Sequence, residues 1–156
     1  MGRNGKVDVK AIVKIRDTLE ESLTGKELDL FIDSCAKELA ARLLAKVIKR
    51  TPVGQYPKGT GKKGGTLRRG WTNGKSSGSS SFAQGLKVHH YGNAYVIEIV
   101  NPVEYASYVE FGHRTRGGKG WVEGKFMLTI SEEEIQRDAP RVLEKKLNKK
   151  LKEIFG

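Results

Sequence analysis

Apolar residues recur at steps of three and four from Leu28 to Val47. Leu28, Phe31, Ile32, Cys35, Leu39, Leu43 and Val47 share one face, and Lys37, Arg42, Lys46 and Lys49 fall mostly off it, the pattern of an amphipathic helix. Thr24-Gly25-Lys26-Glu27 sets its start as a capping box, in which the Thr hydroxyl accepts from the backbone N–H three residues on and the Glu side chain reaches back. Arg50-Thr51-Pro52 sets its end, because the residue before a proline avoids the helical region. This helix is expected to be the longest element. Upstream, Ile12, Ile15, Leu19 and Leu23 predict a shorter amphipathic turn or helix.

Beyond the helix the period changes. Residues 53–66 hold five glycines and one proline and predict a long flexible loop. Leu67, Arg69 and Trp71 alternate with Arg68 and Gly70, a weak strand pattern closed by Asn73-Gly74. Ser76 to Ser81 reads as a mobile Ser/Gly connection. Two β-rich runs, Leu86 to Tyr91 and Ala94 to Val100, flank Gly92-Asn93 and predict a tight hairpin. In Tyr95 to Val100 both faces are largely apolar, so this strand is expected to be central. Asn101-Pro102 breaks the sheet, Glu104 to Phe111 predicts a short helix stopped by Gly112, and His113 to Lys125 forms a second basic, glycine-rich loop.

From Phe126 a helical pattern resumes. Ser131-Glu132-Glu133-Glu134 reads as a further capping box, and Ile135, Ala139, Leu143, Leu147, Leu151 and Ile154 are spaced for one face. Pro140 lies inside that pattern, so a break is expected near Arg137 to Pro140. The sum is an α+β fold: an antiparallel β-sheet of about four strands packed against a long N-terminal helix and a C-terminal helix, with a short helix and two long Gly-rich basic loops. At 156 residues it is expected to be a single domain, 1–23 as an N-terminal arm or short helix and 24–156 as the core.

Charge narrows the partners. The chain carries a net +11, and residues 51–103 hold over half of it, with seven basic residues and one acidic. Such a field steers polyanions and acidic protein surfaces alike. No run of about 18 apolar residues and no apolar segment after Met1 to Lys6 is present, so neither a membrane span nor a secretory signal is expected. Lys6 stands where a myristoylation motif wants Ser or Thr, which argues against lipid anchoring. The single cysteine, Cys35, excludes an intrachain disulfide and a Cys-rich zinc site, and its place on the apolar stripe makes it a small buried hydrophobe.

Candidate chemistry is sparse. Gly59 to Thr66 has the glycine spacing of a phosphate-binding loop, but Gly65 stands where the essential lysine belongs and a helix precedes where a strand should. His89 and His90 are neighbours on a predicted strand and point to opposite faces, so they cannot share a metal ion; His113 lies in the basic loop. The serines of 76–81 lie in a run too mobile for a nucleophile, and no Gly-x-Ser-x-Gly elbow occurs. Glu98 and Glu110 are the carboxylates in strongly apolar surroundings, and nothing in the sequence pairs them. No catalytic residue, cofactor or metal site is therefore assigned, and the chain reads as a non-enzyme.

A binding surface remains. Lys58, Lys62, Lys63, Arg68 and Arg69 cluster in or just after the first loop beside Tyr56 and Trp71; Arg114, Arg116, Lys119 and Lys125 accompany Trp121 in the second. Basic residues among aromatics suit nucleic acid, by phosphate neutralisation and base stacking, and equally suit acidic protein partners. Tyr105, Tyr108 and Phe111, at steps of three, form one helical face and are expected in the core.

Two stretches carry a family resemblance. Thr51-Pro52-Val53, followed after the loop by Thr66-Leu67-Arg68-Arg69-Gly70-Trp71, resembles the "TPV…TGxLRxSW" segment of tailed-phage neck and minor tail components, with Gly70 in place of the usual Ser, a change expected to touch little. Tyr105-Ala106-Ser107-Tyr108-Val109-Glu110-Phe111-Gly112-His113-Arg114-Thr115, leading to Phe126-Met127-Leu128, is similar to that family's "YAxYVEFGTR…PFM" segment. The resemblance implies a structural virion protein without cofactor, assembled in the bacterial host cytoplasm into a ring, typically six-fold, at the head–tail junction of siphophages or related prophages. Its implied partners are copies of itself, a head-closure or adaptor protein, and a tail terminator or tail tube protein, with weak non-specific contact to packaged DNA and none to membrane. The alternative is a nucleic-acid-binding module unrelated to virions.

Overall fold

A computed structural model describes residues 4–8, 23–75, 78–92 and 94–156. The helix expected around Ile12, Ile15 and Leu19 lies outside the described residues. Helix α1 spans Gly25–Arg50 and starts as its sequence predicts. The Thr24 N–H donates to Glu27 Oε2 at 3.0 Å, and the Glu27 N–H donates to Thr24 Oγ1 at 3.2 Å. All seven stripe residues from Leu28 to Val47 are buried, and Ala36, Ala40 and Leu44 widen the face they share. The Cys35 thiol has no exposure, and burial pushes its pKa up to about 11.

Leu67 to Trp71 departs from expectation. Thr66–Gly70 forms a short helix, α2, rather than a strand. Leu67 and Trp71 are both buried, and a spacing of four places both on one side of a helical turn, so over five residues alternation and helical period are indistinguishable. Ser79–Gln84 likewise forms a helix, α3, where a mobile connection was expected; Ala83 packs it into the core and the Lys37 ammonium donates to the Gln84 carbonyl at 2.8 Å.

Strands β1 (Asn4–Asp8), β2 (His89–Tyr91) and β3 (Ala94–Val100) form one antiparallel sheet in the order β1-β3-β2. The hairpin is as expected, with Tyr91 opposite Ala94, and β3 is central, with Asn4 opposite Val100 along its other edge. Tyr95, Ile97 and Ile99 are buried while Glu98 and Val100 are exposed, so one face packs and the other is open. The expected single sheet of about four strands is instead two sheets. The second is a ribbon in which β4 (Gly112–Arg114) pairs with β5 (Trp121–Glu123), so the second basic segment is a hairpin rather than a free loop.

Helix α4 spans Ala106–Phe111 and stops at Gly112, whose φ of +87° suits glycine. Its aromatic stripe is not core. Tyr105, Tyr108 and Phe111 are 44%, 58% and 49% exposed, and it is Ala106 and Glu110 that the helix buries.

Helix α5 spans Met127–Phe155 and packs along α1 through Ile135, Ala139, Val142 and Leu143. At 29 residues against 26 it, not α1, is the longest element, because Pro140 does not break it. Pro140 and Gln136 are both exposed, so the carbonyl left without a donor faces water. Ser131 is no N-cap either: it lies inside the helix and its hydroxyl donates to the Met127 carbonyl at 2.6 Å.

Candidate functional site

Thr51, at the end of α1, ties three segments together. Its hydroxyl donates to the Val47 carbonyl at 2.6 Å and accepts from the Trp71 indole N–H at 2.7 Å, with Met127 Sδ 3.4 Å away. Its carbonyl accepts from Arg68 Nε and Nη2 at 3.2 and 2.8 Å. Asn101 extends the frame: Nδ2 donates to the Leu67 carbonyl at 2.7 Å and Oδ1 accepts from the Val103 N–H at 3.1 Å. Gly70 lies against this side chain, and a Cβ there would collide with Asn101 Oδ1 and stand 2.9 Å from Val103 Cγ2. The Gly at 70 therefore matters, contrary to expectation.

Glu110 is the pivot between α4 and α5. Its carboxylate, fully buried, accepts from the Leu128 N–H at 2.9 Å and from the Thr129 N–H and hydroxyl at 2.8 and 2.6 Å. These are the orphan donors of the first turn of α5, and the helix dipole favours a negative group there. The chain between them is held as well, since Lys125 and Phe126 donate backbone N–H groups to the carbonyls of Val109 and Glu110 at 2.7 and 3.0 Å.

This frame turns an aromatic face outward. Trp121 and Phe126 are 55% and 39% exposed beside the α4 stripe, Phe111 meets Phe126 edge-on with ring centroids 6.5 Å apart, and Tyr108 lies 5.8 Å from the His113 ring. Arg114 stands opposite Trp121 in the ribbon, and Arg116 and Lys119 are exposed in its turn. In the first loop Lys58, Lys62 and Lys63 are exposed, with the Lys62 ammonium 5.8 Å from the Tyr56 ring centroid. A cleft of about 280 Å³ separates that loop from α4, lined among others by Tyr56, Lys63, Leu67, Tyr105 and Val109.

Not every expected contact residue faces outward. Trp71 is 1% exposed, and Arg68 is spent on the Thr51 carbonyl. Arg69 donates to the Gly64 carbonyl at 3.1 Å and to Thr66 Oγ1 at 3.4 Å, closing the loop on itself. Lys125 is exposed at the foot of the ribbon. Asn101 was legible only as a sheet breaker, although Asn before Pro also marks a side chain that bonds its own backbone. Glu134, read as half of a capping box, instead pairs with Arg50 and with Lys46, the latter at 3.0 Å. These bonds, that to Arg50 first, hold its carboxyl down to about 2.

Among the described residues no group of three His, Cys, Asp or Glu side chains is placed to hold a metal ion, and no helix is long and apolar enough to cross a membrane. The fold and this face define a small α+β protein that presents aromatic and basic side chains on a rigid frame. The family described as "Bacteriophage HK97-gp10, putative tail-component" matches residues 14–112, from upstream of α1 through α4 to Gly112, and the chain belongs to that family. It is thus a phage tail-related structural protein, a class that acts by contact with other virion proteins. No curated protein and no solved structure matches it.

Proposed function

We propose that the chain is a subunit of a ring at the phage head–tail junction, a neck or tail-completion component that joins the head-closure complex to the tail tube or terminator. The carrying observation is the outward aromatic face of Tyr105, Tyr108, Phe111, Trp121 and Phe126. Contiguous exposed aromatics on a small protein mark a contact surface, and Tyr, Trp and Phe are enriched in interface cores. In a closed ring of identical subunits this face meets a different patch of the neighbour, a heterologous contact. Glu110 and Gly112 support the reading, because they fix the angle at which the face is presented.

Arg114, Arg116 and Lys119 extend from the ribbon, where a ring could turn them toward passing DNA. Such contact must be weak and independent of sequence, since tight binding would hold a strand that has to slide. The other class, a nucleic-acid-binding module outside virions, draws less support: Trp71 is buried and Arg68 and Arg69 bond their own chain. Residues 1–156 are taken as one domain; the segment expected as an N-terminal arm contributes β1 (Asn4–Asp8) to the core sheet beside β3.

Negative-stain imaging of the purified chain tests this, with closed rings expected. If Arg114 and Arg116 meet a protein partner rather than DNA, Arg114→Glu with Arg116→Glu should leave the fold intact and block head–tail joining, because reversed charge opposes the partner surface. Sub-micromolar, sequence-dependent DNA binding, unchanged in a variant that still builds particles, would favour the other class.

A further inference from the structure

We propose that the cleft between the first glycine-rich loop and α4 docks an acidic, aromatic-bearing extended segment of another virion protein. Only the source of that segment rests on the assembly reading; its chemistry stands on the cleft. Pro52, Leu67 and Val109 give it an apolar lining, Tyr56 and Tyr105 aromatic walls, and Lys63 a cationic edge. At about 280 Å³ it is smaller than the roughly 300–1,000 Å³ of small-molecule sites, a size for one large side chain and its adjoining backbone.

The cleft is formed without an occupant. Gly64 abuts the Gly54 carbonyl and Val53 so closely that a Cβ would overlap them, and the Arg69 guanidinium ties the Gly64 carbonyl back. The Tyr56 ring folds over Gly54, whose Cβ would stand 3.2 Å from Tyr56 Oη. A held shape lowers the ordering cost of binding.

Charge selects the occupant. Lys63 lines the cleft, Lys58 and Lys62 share its loop, and no carboxylate is among the lining residues. A second copy's ribbon would bring Arg114, Arg116 and Lys119, of the same sign, and be repelled. Single-stranded nucleic acid needs a cationic groove that tracks its backbone past successive stacking platforms, whereas this cleft has one lining lysine and, between its two tyrosines, room for one ring. An acidic segment with one aromatic anchor satisfies both the lysines and the floor.

The test titrates blocked Glu-Asp-Trp-Asp-Glu peptide into the full chain and follows backbone amide shifts. Saturable shifts confined to residues 53–56, 63–67 and 105–109 are expected. Lys63→Glu should weaken binding by about tenfold, the scale of one lost charge contact; Lys63→Gln, milder for the loop, should weaken it less, and Gly64→Ala should weaken it by deforming the cleft. Equal binding of Lys-Lys-Trp-Lys-Lys, an absence of saturable shifts, or saturation of the same amides by a short oligothymidylate would overturn the proposal. Ring formation is imaged separately, so either reading can fail alone.

Discussion

Glu110 holds Thr129 by two hydrogen bonds to one carboxylate oxygen, from the backbone N–H at 2.8 Å and from the hydroxyl at 2.6 Å. With Leu128 N–H on the other oxygen, a residue 18 positions away does for α5 what an N-cap side chain does elsewhere, while Phe126 at the cap position supplies none. Replacing Glu110 by Ala strips the cap and leaves buried donors unpaired, at an expected cost of about 2–4 kcal/mol. Glu110→Gln keeps one acceptor and should cost less. Urea denaturation midpoints check the order; equal, negligible shifts would show that the carboxylate is not the cap.

Thr51→Val removes the oxygen that accepts from Trp71 Nε1 and should destabilise by about 1–3 kcal/mol, the cost of a buried unpaired donor. Thr51→Ser keeps the hydroxyl and should lose clearly less. Indole fluorescence in a Trp121→Phe background isolates Trp71 and reports both unfolding and its exposure.

Gly70→Ser restores the residue usual in the family segment and is expected to destabilise here, by about 1–3 kcal/mol, because its Cβ overlaps an Asn101 side chain fixed at both ends. Asn101→Gly should cost stability alone yet partly offset Gly70→Ser. A double-mutant cycle reads that coupling; strict additivity would rule out the collision.

Glu134 predicts a pH dependence. Its pKa is about 2 when folded, against an ordinary value of 4.5, so between those values the unfolded chain binds more protons and stability rises with pH. The contribution is fully present above about 4.5 and lost as pH falls toward 2. Thermal unfolding of the parent and of Glu134→Gln should therefore differ above pH 4.5 and converge toward pH 2; a constant gap would show that Arg50 and Lys46 do not depress this carboxyl.

Legibility followed the length of the pattern. Leu28 to Val47 offers several turns of consistent spacing and a complete capping box, so α1 was readable almost to the residue. Gly92-Asn93 between β-rich runs likewise sufficed for the hairpin. The five residues from Thr66 to Gly70 did not, because so short a window fits two periods. Pro140 misled because its effect depends on whether the orphaned carbonyl can reach water, which sequence does not state. The stripe of Tyr105, Tyr108 and Phe111 has the right period for a core face; only the burial of Ala106 and Glu110 on the other side shows which way α4 turns. Glu110 itself found its partners across 18 and 19 residues, a pairing fixed by tertiary placement alone.

The central claim is that this outward aromatic face makes the assembly contact, and the double change Tyr108→Ser with Phe111→Ser addresses it most directly. Both side chains are about half exposed and each keeps one ring contact, Phe111 with Phe126 and Tyr108 with His113, so the subunit should stay folded with a loss of about 1–3 kcal/mol in a denaturation check. Electron microscopy of lysates from phage carrying the double variant should then show free heads and free tails in place of joined particles. Joined, infectious particles at the parental yield would contradict the account.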